Sequence, residues 1–147
     1  MPQGGYLPEG SLLNTPQNRA YTQNPALLQR AMEDGRILEA TAVHCDAAHN
    51  LTVELGGAVG IIPRVEAAVG IESGRTREIA ILSRVGKPVC FQVMGMQDGR
   101  YILSRRRAQE QCMEWFMQTL CPGEVIRARV THLEAFGAFV DIGCGNA

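Results

Sequence analysis

The segment Gly35-Arg-Ile-Leu-Glu-Ala-Thr-Ala-Val-His recurs as Gly123-Glu-Val-Ile-Arg-Ala-Arg-Val-Thr-His, 88 positions further along a chain of 147 residues. Gly35 aligns with Gly123, Ala40 with Ala128 and His44 with His132. Val53-Glu54-Leu55-Gly56 then aligns with Val140-Asp141-Ile142-Gly143 at an offset of 87, so the first copy holds one extra residue in its intervening turn. A unit repeated at this spacing implies two copies of one small barrel.

Within the first copy, Ile37 to Cys45 reads as a strand, Asp46 to Asn50 as a turn, and Leu51 to Leu55 as the returning strand. Gly56-Gly57 breaks the chain, Val59 to Ile62 forms a short third strand, and Pro63 ends it. Pro88 to Met94 is the fourth strand, with Val89, Phe91 and Val93 on one face. Asp98-Gly99 is a two-residue hairpin turn into a fifth strand, Arg100 to Arg105, with Tyr101 and Leu103 on one side and Ile102 on the other. Between strands three and four, RTREIAILSRV (75–85) fits either a helix or a strand. Ile79, Leu82 and Val85 suit a helical spacing, and Ile79, Ile81 and Ser83 suit a strand.

The flanks differ in character. Residues 1–23 are rich in Gly, Pro and Asn and read as extended or irregular chain. They are either pinned to the barrel by Tyr6, Leu7, Leu12 and Leu13 or left as a disordered tail. Asn24 is an N-cap with Pro25 in the first helical position, Ala26 to Asp34 is a short helix, and Gly35 stops it. Arg106 to Leu120 lacks Gly and Pro and reads as a second helix. Its Trp115 and Phe116 belong to packing rather than to a ligand platform. In the second copy, Val125, Ala128 and Val130 alternate with polar residues. Phe136-Gly137-Ala138-Phe139-Val140-Asp141-Ile142 follows as a β-branched and aromatic strand.

The stretch GEVIRARVTHLEAFGAFVDIGCG resembles the opening of an S-one RNA-binding domain, the repeat named after the largest small-subunit ribosomal protein. The likeness covers the 25 residues from Gly123 to Ala147, and its specific part is F-G-A-F-V. It implies a mainly β fold: a five-stranded OB-type barrel with short flanking helices, then a helical linker and a partial second barrel. The expected division is an extension with a short helix over 1–34, a first S-one-type domain over 35–107, a linker over 108–121 and an incomplete second domain over 122–147.

The resemblance also implies a bacterial, translation-associated protein that binds single-stranded RNA, with the ribosome as a further partner. Phe136 and Phe139 are then the aromatics on which bases stack. His132, His49, Arg64, Arg105, Arg106 and Arg107 complete the expected RNA-binding set. In the first copy the two aromatic positions are His49 and Thr52, and Pro63 stands where the family has a histidine. Stacking is worth ~1–3 kcal/mol per base, so losing two platforms costs on the order of several hundredfold in affinity. The first barrel is expected to bind RNA weakly. The second supplies about two strands and leaves an open edge suited to self-association. The chain accordingly reads as a fragment of a longer protein, or as one whose hairpin docks on a partner or a twin.

A net charge of −1 excludes binding dominated by phosphate neutralisation. The arginines at 64, 75, 77, 84, 105, 106 and 107 are either a solvated surface or a phosphate track. Five cysteines without a C-x-x-C pair fit reduced thiols and a cytoplasmic protein. His44, His49 and His132 show no four-ligand metal spacing, and no cofactor or membrane segment is expected. No catalytic motif is present, so an enzyme is not expected. The rival reading is a protein-interaction or spacer module that kept the OB fold and lost RNA binding.

Overall fold

The computed structural model describes residues 6–119, 122–123, 125–126, 128–134 and 137–146. Two helices come first, α1 (Pro16–Thr22) and α2 (Pro25–Asp34). Strands β1 (Leu38–Cys45), β2 (Leu51–Leu55) and β3 (Ala58–Ile62) follow, then a short helix α3 (Ile79–Leu82). Strands β4 (Pro88–Gln97) and β5 (Arg100–Ser104) lead directly into α4 (Arg105–Thr119). A hairpin of β6 (Arg129–Glu134) and β7 (Gly137–Asp141) ends the series.

The first five strands close into a barrel in the order β1-β2-β3-β5-β4, which is the OB-type arrangement. Every neighbouring pair is antiparallel except β3 and β5, where Gly60 lies opposite Tyr101 and Ile61 opposite Ile102 in parallel. That closing contact depends on Gly60, because a Cβ there would stand 2.5 Å from Leu103 Cδ1. Alternation fills the interior: Leu38, Ala40 and Ala42 from β1, Leu51, Val53 and Leu55 from β2, and Val89, Phe91 and Val93 from β4. Leu28 and Ala31 of α2 cap one end of this core.

Sequence and structure agree closely at α2. Asn24 Oδ1 accepts from the Ala26 N–H at 2.9 Å, and Gly35 takes the left-handed conformation that stops the helix. The N-terminal stretch departs from expectation. Residues 16–22 are helical rather than irregular, because Thr15 caps them, its hydroxyl accepting from the Asn18 N–H, and Pro16 starts the turn. Between β3 and β4 lie a single 3-10 turn at Arg64–Glu66 and, after further turns and bends, the short helix Ile79–Leu82, so within 75–85 helix and not strand forms.

Helix α4 lies against the outer face of β4. Cys90 therefore joins Ala108, Cys112, Phe116 and Cys144 in a second apolar cluster. Tyr6, Trp115 and Phe116 meet there edge-on, so the two helix aromatics do pack rather than face solvent. The chain after β7 enters the same cluster through a close approach at Gly143, where a Cβ would meet Cys112 Sγ at 2.5 Å.

Candidate nucleic-acid interface

A groove of about 240 Å³ runs on the barrel surface between the β1–β2 turn and the β4–β5 turn. Asn50, Ile61, Pro63, Asp98, Arg100 and Ile102 line it. It forms because β3 and β5 sit side by side, which places Ile61 and Ile102 as parallel neighbours on the outer surface, with Thr52 opposite Ile61 on the other flank. The three outward residues are thus aliphatic or hydroxylated, and Val43 and Val59, 45% and 41% exposed, extend the apolar surface beside them. The turns are tightly specified. Asp46 Oδ1 accepts from the Ala48 and Asn50 N–H groups at 2.9 Å each, and Asp98-Gly99 has positive φ at both residues, as a type I′ hairpin requires.

The expected RNA-binding residues separate into several places. His49 and Arg64, the chain neighbours of the groove residues Asn50 and Pro63, are brought together at that edge of the groove, both facing Glu78. Arg64 donates to Glu78 Oε1 through Nε at 3.1 Å and Nη2 at 2.7 Å, and its own N–H donates to Asn50 Oδ1 at 2.9 Å. The Arg64 bonds are the main reason the Glu78 carboxyl is held below its usual range, with His49 adding to the effect. Arg107 is exposed at the start of α4. Arg106 is committed to Glu66 and Glu110. His132 and Phe139 lie directly opposite one another in the β6–β7 ladder. Phe136 lies outside the described residues.

Arg105 is a correction. It was expected among the phosphate contacts, yet it is 6% exposed and forms two bonds of 2.7 Å with the Glu9 carboxylate. A third goes to the Ala67 carbonyl at 3.0 Å. With its donors so committed, it is a structural cation.

Glu9 is the hub of that buried network. It also receives the Cys90 N–H at 2.8 Å and an Arg84 ion pair at 3.2 Å. Burial pushes its carboxyl up, but Arg105 and then Arg84 outweigh this and hold it down at about 2. Sequence reading missed Arg100 as a groove residue. The period-two rule places it on the outward side with Ile102, a usable clue once the barrel is assumed.

No family model matches the chain. A curated relative from Rhodopseudomonas palustris, small ribosomal subunit protein bS1, is 31% identical over 96 residues, which is 63% of this chain and 16% of the relative. Over that stretch the chain is similar to an S-one ribosomal protein. The protein of the same name from Rhizobium meliloti is 29% identical over 96 residues, again 63% of this chain and 16% of the relative. The chain thus spans about a sixth of the length of these relatives.

Among solved structures, an archaeal complex titled a/eIF2alpha-aDim2p-rRNA from Pyrococcus horikoshii matches with a TM-score of 0.41 and 21% identity, over 56% of this chain and 49% of that one. GSP13 from Bacillus subtilis matches with a TM-score of 0.38 and 17% identity, over 62% of each chain. Among the described residues no His, Cys, Asp or Glu cluster suits a metal ion, and no helix is long and apolar enough to cross a membrane.

Proposed function

We propose that this chain is a cytoplasmic, non-enzymatic RNA-binding protein that takes single-stranded RNA across its S-one-type barrel and associates with the ribosome. The observation that carries the reading is the groove between the two turns, with Arg100 inside it and Arg64 and His49 at its lip. OB barrels take oligonucleotides on this surface, between these two loops. The similarity to bS1 over 96 residues supports the same reading.

Affinity from this barrel is weak, because Thr52, Ile61 and Ile102 offer no flat ring to a base. Phe136 and Phe139 of the second copy are the proposed stacking residues. The β6–β7 edge is a proposed site of self-association. The test is a fluorescence-anisotropy titration with labelled single-stranded RNA at low and moderate salt. Binding that weakens as salt rises is expected. Absence of binding at low salt overturns the reading.

A second reading has its own observation. The exposed Val43 and Val59, beside Ile61 and Ile102, make the outer sheet apolar where a nucleic-acid binder would carry rings and cations. A protein partner seated there would bind with little salt dependence, and that outcome in a pull-down titration favours the interaction module.

A further inference from the structure

The lip of the groove holds two nitrogen-bearing side chains around one carboxylate. Glu78 precedes α3 in the β3–β4 connection, Arg64 follows β3, and His49 belongs to the β1–β2 turn. Glu78 Oε1 takes both Arg64 bonds, and Oε2 meets His49 Nδ1. The scaffold beneath does not depend on Glu78. Asp46 fixes the turn through Ala48 and Asn50, and Asn50 in turn holds the Arg64 backbone. His49 sits at φ 65, uncommon for a residue with a side chain, and its N–H donates to the Asp46 carbonyl at 3.0 Å. The donors are therefore set in place by their own elements and converge on an anion.

A guanidinium fork matches a carboxylate and a phosphate equally well. The anion here is supplied from within. All three side chains are partly exposed, so the pairing is the weak and replaceable kind. Ile81, fully buried, anchors α3, so Glu78 can leave by rotating its own side chain without moving the helix.

We infer that Glu78 stands where an RNA phosphodiester would sit, and that it acts as a built-in competitor limiting the affinity of this end of the groove. The inference rests on the RNA-binding reading above. It assigns Glu78 a regulatory part in which the carboxylate must be displaced before Arg64 and His49 engage the backbone. Weak or transient RNA is turned away, and RNA held by other contacts displaces the carboxylate.

The test is a titration of labelled single-stranded oligouridylate into the wild-type chain, Glu78→Gln and Glu78→Lys, with thermal unfolding of each to confirm the fold. Glu78→Gln is expected to bind about two- to fivefold tighter and Glu78→Lys tighter still, with steeper salt dependence. Adding Arg64→Ala to Glu78→Gln is expected to abolish the gain, which a merely structural role for Glu78 would not produce. Wild-type binding with no gain in either variant overturns the competitor and leaves the RNA reading standing. A gain that survives Arg64→Ala overturns it as well. No binding by any of the chains overturns both.

Discussion

Glu9 and Arg105, 96 positions apart in sequence, form a buried ion pair through two bonds of 2.7 Å each. Three parts of the fold meet there, because Glu9 also takes the Cys90 N–H of β4 and its own N–H donates to Asp141 of β7 at 2.8 Å. Glu9→Gln leaves the guanidinium of Arg105 buried without its counter-charge. It is expected to cost about 3–5 kcal/mol, read from urea unfolding midpoints. Glu9→Gln combined with Arg105→Met removes the orphaned charge and recovers part of that loss.

Glu39 gives the chain an unusual pH profile. Its two carboxylate oxygens accept from the Gly10 and Leu12 N–H groups, yet burial dominates and pushes the carboxyl up to about 7. The folded chain therefore holds this proton more tightly than the unfolded chain does. The contribution to stability is full below the ordinary value of 4.5 and is lost as pH rises through about 7. Glu9 acts in the opposite sense, losing its contribution as pH falls from 4.5 towards about 2. Denaturation midpoints are expected to decline from weakly acidic to neutral pH in the wild type and to stay flat over that range in Glu39→Gln.

Thr52 offers a gain-of-function test. It is half-buried on the outward side of β2 beside the groove, opposite Ile61. Thr52→Phe supplies one flat ring there and is expected to tighten single-stranded RNA by roughly fivefold or more in an anisotropy titration. Unchanged affinity in a well-folded variant would remove this face from the RNA path.

Arg100 and Arg105 separate a groove cation from a structural one. Arg100→Ala is expected to weaken RNA binding modestly and to lower the salt slope by about one, with the unfolding midpoint unmoved. Arg105→Ala is expected to lower the midpoint strongly, because Glu9 loses its main partner.

The strands of the barrel were legible because their inward residues fall at a period of two and most of them end at Gly, Pro or an Asp-containing turn, although β5 runs straight into α4. Leu51, Val53 and Leu55 all face inward as their spacing demands. The α1 helix was not legible: its Pro and Asn residues read as breakers, and only Thr15 and Pro16 in capping positions betray a start. Arg105 was misread for a different reason. It begins α4 in a run of three arginines that looks like a solvated surface. Only the distant Glu9, brought in by tertiary folding, selects one of the three for burial. Glu78 was not legible as a site residue, since nothing in the sequence places it against His49 and Arg64.

The separation of Glu9 from Arg105 also has a meaning in time. Chains are made at about 5–20 residues per second, so roughly 5–20 s pass between the synthesis of the carboxylate and that of its partner. For that interval the first residues can associate with β1 through Glu39, but they cannot take up their final seat. The stretch around Glu9 is thus among the last parts to be secured, and any factor that captures nascent chains has a window of many seconds in which to find it.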